Sequence, residues 1–469
     1  MLPSIEFPGR LVIVGFGCIG QGMLPLLLRH IRIRPQQLLI ISPDRADMAV
    51  AAEYGVSCQR TALTPANYTS VLEPCLAAGD FLLNLSVDVS TVALVGWCQT
   101  RGVLYLDTCI EPWAGGYIDP ALSAAKRTNH ALREAALALR PKDRPGPTAV
   151  LTHGANPGLV SHLFKQALLN IAQDSGLAVA VPASRPAWAD LAAQLNVRVV
   201  HIAERDTQVG ASRKMPGEFV NTWSVEAFVD EGSQPAELGW GSHERHFPAD
   251  GGRHDAGSQA SIYLNRPGAS TRVRTWTPLA GPIHGFLITH SESISIADYF
   301  TVRDFQRVTY RPTVNYAYHP CDDAVLSLHE LAGRNWQPQT HARVLKEEIT
   351  SGIDELGVLL MGHARGAYWY GSQLSIDETR RLVSHNSATS LQVTATVMAG
   401  VVWAMQNPAR GVVEPDEMPF DDILGLCRPY LGEVVGIYTD WTPLTGRSTL
   451  FVEDLDPGDP WQFKNFRVV

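Results

Sequence analysis

The sequence predicts an α/β protein whose parallel-sheet N-terminal part is followed by an α+β part with a mainly antiparallel sheet. Three observations predict it. Short apolar runs at 11–14, 38–41, 81–85 and 103–106 alternate with longer mixed segments, the rhythm of βαβ units. A glycine-rich turn, Gly15-Phe16-Gly17-Cys18-Ile19-Gly20, follows the first run directly. From Val197 onward the pattern changes to strand-like segments separated by turn-rich loops, as antiparallel sheets require. At 469 residues, against roughly 150 per domain, the chain is long enough for two or three domains.

Taken in order, 129–139 reads as a helix, KDRPGP at 142–147 as a turn, and Thr148 to Thr152 as a further strand, so the first domain is expected to end near residue 155. A second domain is expected over 156–385. Its strand candidates are VRVVHIAE, EFVNTWSVEAFV, SIYLNR and GFLITHSESISIADYF. Ser233 to Gly257 and Gln337 to Leu345 are polar and turn-rich, and read as long surface loops. The C-terminal segment, 386–469, opens with an uncharged helix over 386–406 whose Ala395, Ala399 and Gly400 permit close packing, so it is expected to return to the first domain.

Forty-seven Asp and Glu against 38 Lys and Arg leave a net charge of -9. Nucleic acid is therefore excluded as an expected partner, because phosphate backbones are bound by clustered Lys and Arg; a cationic small molecule suits the field better. Cys18, Cys58, Cys75, Cys98, Cys109, Cys321 and Cys427 form no CxxC pair and no zinc-type spacing, so no metal is expected and the thiols read as reduced and cytoplasmic. The N-terminus lacks the pattern of an export signal. Leu382 to Ala409 carries no charged residue and is long enough to span a membrane, yet its His385, Asn386, Gln392, Thr394 and Thr396 favour a helix buried within the protein.

The glycine turn has the context in which GxGxxG carries mechanical meaning. Gly15, Gly17 and Gly20 allow a tight turn and close approach of backbone to a pyrophosphate, with Cys18 and Ile19 opening the helix whose N-terminus receives it. A second apolar run ends at Ser42, and Asp44, 24 residues after Gly20, stands where a carboxylate meets a ribose 2′-hydroxyl. These features predict a Rossmann dinucleotide-binding domain. Asp44 points to NAD, whereas neighbouring Arg45 is the feature that would favour a 2′-phosphate.

Beyond that turn, an ordered set of motifs covers essentially the whole chain: GFGCIGQG (15–22), NLSVDVS (84–90), YLDTCIEPW (105–113), THGANPG (152–158), HIAERDTQ (201–208), NTWSVE (221–226) and ITHSES (288–293). Through them the sequence resembles the bacterial homospermidine synthases, within the saccharopine dehydrogenase-like group. The resemblance implies a cytoplasmic homodimer, its interface supplied largely by the second domain. It implies condensation of two putrescines into sym-homospermidine with release of ammonia, spermidine being a further candidate substrate. NAD would serve as a retained hydride carrier, the substrates passing through imine and Schiff-base intermediates. It also adds Asn84, Leu85, Ser86, Thr108, Thr152, Gly154 and Ala155 to the expected cofactor residues.

The chemistry sets its own requirements. An alkyl amine with a pKa near that of Lys, about 10, is protonated at neutral pH, yet hydride leaves only from carbon beside a neutral amine. A general base is needed, while the far ammonium calls for carboxylates and an aromatic face. Glu204 and Glu231 match the family's amine-pocket carboxylates, and Trp223 its cation-holding aromatic residue. His290 is a candidate for proton transfer, as a neutral imidazole acting near pH 7. Asn156 matches a residue near the nicotinamide and substrate. Asp88 and Glu111, in loops after first-domain strands, are assigned to the cleft. Two other readings compete: another saccharopine dehydrogenase-like reductive condensation of an amine with an aldehyde, whose usually carboxylate-bearing substrates would call for Arg and Lys in the pocket, and a catalytically idle NAD-binding regulator.

Overall fold

The computed structural model describes residues 4–43, 48–141 and 145–468. Its first sheet has seven parallel strands in the order Val412–Val413, Ala149–Val150, Leu104–Asp107, Phe81–Asn84, Leu11–Val14, Leu38–Ser42, Ser57–Arg60. The Leu11–Val14 strand is buried along its length, as a sheet covered on both faces demands. The order reverses between Leu11–Val14 and Phe81–Asn84, which opens a crevice at the carboxyl ends of these strands. Strand Val412–Val413 comes from far along the chain, and its two valines give no periodicity by which sequence reading could find it.

The second sheet has eleven strands and is mainly antiparallel. At its centre Val199–Asp206 runs parallel to Thr313–His319 and antiparallel to Ile353–His363, which pairs in turn with Gly366–Ser375. Helix Ala388–Gln406 leaves this part of the chain and packs against Cys18–His30. At Gly400 an added Cβ would lie 2.5 Å from the His153 ring and 2.7 Å from Leu106, so this glycine permits the close approach to the first sheet. The helix is the one element among the described residues long and apolar enough to cross a membrane, and it is buried inside the protein. Strand Glu433–Thr439 then joins the edge of the second sheet, and Arg467–Val468 pairs with Arg272–Thr277.

Three stretches differ from expectation. NTWSVEAFV continues from strand Glu218–Asn221 into helix Val225–Ser233, because the Ser224 side chain caps the Ala227 amide and the apolar residues fall at helical spacing. SESISIADY forms helix Glu292–Tyr299; all of its residues but Asp298 are buried, so no polar stripe breaks the Ser-Ile alternation that mimics a strand. The two supposed surface loops contain strands Pro235–Gly239, Gly251–Arg253 and His341–Val344, and Trp240 is buried in the second core.

Candidate active site

The crevice deepens into a cavity of about 620 Å³ between the two sheets. At its dinucleotide end, Gly15 has φ +81°, and a Cβ there would lie 2.6 Å from the Ser86 backbone. Gly17 is the N-cap of the 13-residue helix Cys18–His30, with no side chain capping it. The first helical amides are thus left for an anion, and a Cβ at Gly17 would meet nothing within 4 Å. Cys18, Ile19, Ser42, Leu85, Ser86, Thr108, Gly154 and Ala155 line the same cavity, a donor set that fits a dinucleotide.

Gly20, Asn84 and Thr152 do not reach the wall. Gly20 lies against the Phe16 ring, Asn84 bonds Ser86 and Tyr105, and the Thr152 amide donates to Asp107 at 2.6 Å. They shape the loops around the cavity instead. Asp44, the expected ribose ligand, lies outside the described residues. Thr61 to Thr64, which sequence reading passed over, close this end beside Ser42.

At the other end the side chains come from seven segments distant in sequence. Glu204, on strand Val199–Asp206, accepts hydrogen bonds from the Tyr316 hydroxyl at 2.6 Å and from the Asn156 amide at 3.1 Å. Burial pushes its carboxyl up to about 8, with the nearby Asp206 charge adding to the rise against the Tyr316 bond. Trp223 stands just before helix Val225–Ser233, which also presents Glu226 and Glu231 to the cavity. Glu231 belongs to the last turn of this helix. Asp88, with φ 63°, donates its backbone N–H to Glu111 at 3.4 Å. Burial raises the carboxyls of both, and for Glu111 the charges of Glu231 and Asp230 raise it further.

His290 departs from the expected neutral base. Its Nε2 lies 2.9 Å from Glu231 and its Nδ1 3.4 Å from Glu292, all three side chains being buried. Burial works against the charge, but the two carboxylates outweigh it and hold the imidazole pKa well above its ordinary value. The two carboxylates thus favour the charged form of the ring. It is also the only basic side chain on the described wall: Asp88, Glu111, Glu204, Glu226 and Glu231 line the cavity, and no Lys or Arg does. Tyr316 and Glu292 were missed by sequence reading, although Glu292 lies two residues after His290 within ITHSES.

The fold and this cleft define a two-part protein of the saccharopine dehydrogenase class. The family model described as saccharopine dehydrogenase NADP binding domain matches residues 11–150, and that described as saccharopine dehydrogenase C-terminal domain matches 154–438. The chain is 53% identical over 465 residues to the homospermidine synthase of Blastochloris viridis, covering 98% of this chain and 97% of that one. It is 50% identical over 470 residues to that of Mesorhizobium japonicum, covering 99% and 97%. The crystal structure of the Legionella pneumophila homospermidine synthase in complex with NAD superposes with a TM-score of 0.94 at 48% identity, covering 100% of both chains. The chain belongs to the homospermidine synthase family.

Proposed function

We propose that the chain joins two putrescine molecules into sym-homospermidine with release of ammonia, using bound NAD without net oxidation or reduction. The observation that carries this reading is a dinucleotide crevice opening into a cavity lined by five carboxylates and an indole, with no Lys or Arg on the described wall. A dication is held by such a wall and a carboxylate substrate is repelled.

The glycine turn, Ser42, Ser86 and Thr108 would hold the dinucleotide. When bound, NAD supplies the hydride acceptor that later acts as donor. Glu204 takes the proton of the reacting ammonium, since a carboxyl with a pKa near 8 exchanges protons with an amine at modest cost. Asn156 and Tyr316 orient that carboxylate through its Oε2. Trp223, Glu226 and Glu231 hold the ammonium that stays charged, and Asp88 and Glu111 draw diamines toward the site. His290 fixes Glu231 through its Nε2. A cytoplasmic homodimer completes the reading, as does acceptance of spermidine by the same acidic wall.

Incubation with putrescine and catalytic NAD, with mass detection of homospermidine and ammonia, tests the proposal. With 1-deuterated putrescine, carbon-bound label is expected in the product. NADH accumulation without homospermidine would reduce the enzyme to an amine dehydrogenase.

A further inference from the structure

Two tyrosines that no site assignment above uses as substrate contacts are mounted on strand Thr313–His319; Tyr316 lines the reacting end of the cavity, and Tyr318 contacts the Trp223 indole at its edge. Tyr316 and Tyr318 are two residues apart and therefore share a face. Their rings stack, with centroids 5.1 Å apart and planes 14° from parallel. Tyr316 donates to Glu204, and Tyr318 accepts a hydrogen bond from the Trp223 indole Nε1 at 3.1 Å. In the sheet register Tyr318 lies directly beside Glu204 on the neighbouring parallel strand. Phe228 packs against the indole at 5.1 Å and against Tyr318 at 5.5 Å, so the indole has an apolar support and one polar anchor. Both tyrosines are buried, whereas Trp223 is half-buried and borders the cavity.

The proton acceptor and the aromatic wall are thus referred to one rigid strand through two stacked rings. The wall is the member that needs such an anchor, because an indole at a cavity edge has open space on one side and rotates about its side-chain bonds unless something holds its N–H. We propose that Tyr318 is a positioning residue: by anchoring the Trp223 indole it fixes the distance between the ammonium-holding wall and Glu204, and so selects the four-carbon diamine over longer and shorter ones. The inference rests on the diamine reading above and deepens it. It makes the strand spacing, rather than the indole itself, the source of chain-length discrimination.

Tyr318→Phe keeps the ring and the stack and removes only the acceptor. Losing one ordinary hydrogen bond corresponds to about 3- to 10-fold in an equilibrium constant. Putrescine affinity, measured by calorimetry on the NAD-loaded protein, is expected to fall by about that factor while NAD affinity stays unchanged. The loss in kcat/KM should appear in KM, and the preference for putrescine over 1,5-diaminopentane and 1,3-diaminopropane should shrink by a similar factor. Tyr316→Phe should behave differently, moving the pH profile through Glu204 and leaving the diamine preference in place.

A double-mutant cycle guards against a general loosening of the site. In a Trp223→Phe background there is no indole N–H to anchor, so adding Tyr318→Phe should change putrescine affinity little. An equal effect of Tyr318→Phe in both backgrounds, or an unchanged diamine preference in the single variant, would overturn the inference. Because the cycle is read in binding as well as turnover, a parent protein that binds putrescine without making homospermidine would sink the functional reading alone. A parent that binds no diamine would sink both.

Discussion

His290 Nε2 lies 2.9 Å from Glu231 while Nδ1 faces Glu292 at 3.4 Å, so one imidazole bridges two buried carboxylates, and among the described residues no other basic side chain lines the cavity. With the folded pKa raised above the ordinary value, the ring's contribution to stability is fully present below about pH 6.5 and is lost as pH rises through the raised value. The His290 resonance in histidine-edited NMR is expected to titrate above the ordinary imidazole range. His290→Gln should cost about 3 to 5 kcal/mol at neutral pH in chemical denaturation, because it leaves buried carboxylates unpaired. A normal titration near pH 6.5 would return the residue to the role of neutral base.

Glu204 has the same sign of pH dependence for a different reason, burial of the carboxyl in place of paired carboxylates. Its carboxyl, pushed up to about 8, binds a proton in the folded chain that the unfolded chain releases near 4.5. Its stability contribution therefore falls as pH rises from about 4.5 toward 8, and activity needing the ionised form rises over the upper part of that range. Glu204→Gln is expected to lower turnover about 100- to 10,000-fold with NAD affinity unchanged. Its melting temperature should gain on the parent above pH 8. Unaltered turnover would move the proton acceptor to another carboxylate.

Trp223 is only half-buried at the cavity edge, so its loss should be felt in binding more than in folding. Trp223→Phe is expected to keep part of the activity, since a weaker π face remains, and Trp223→Ala to lose most of it. Denaturation midpoints should shift little in both. A loss of about 3 to 5 kcal/mol in the Ala variant, with activity per folded molecule intact, would mark a core tryptophan instead.

The glycine turn separates folding from cofactor binding. Gly17→Ala places a methyl in open space at a helix N-cap and should cost about 1 kcal/mol or less in stability. NAD affinity should fall at least about tenfold, since that space is where a pyrophosphate approaches the backbone. Gly15→Ala should be destabilising with or without cofactor, because its methyl would overlap the Ser86 backbone. Equal NAD affinity in Gly17→Ala and the parent would argue for a different seat for the phosphates.

Much of the first domain was legible because its signals are local. The run Leu11 to Val14, the turn at Gly15 to Gly20 and the strand ending at Ser42 each carry their structural reason within a few residues. The ordered motifs likewise identified Glu204, Trp223, Glu231 and His290, four residues that the fold does bring to one cavity. Helix Glu292–Tyr299 and strand Val412–Val413 were hidden for the converse reason: burial on all sides erases a helix's stripe, and a two-residue strand is specified by its partner.

The sequence by itself determined the parallel and antiparallel halves, the glycine seat and the residue types of an amine pocket. Only the tertiary structure decided their surroundings: that burial pushes Glu204 up to about 8, that two carboxylates raise the His290 pKa, and that Tyr318 ties the indole to the strand beside Glu204. A pKa is a sum over burial and over charges that approach from every side. Glu231 comes from helix Val225–Ser233, Glu292 opens helix Glu292–Tyr299 and His290 lies in the segment just before it, so their combined field exists only once the chain has folded.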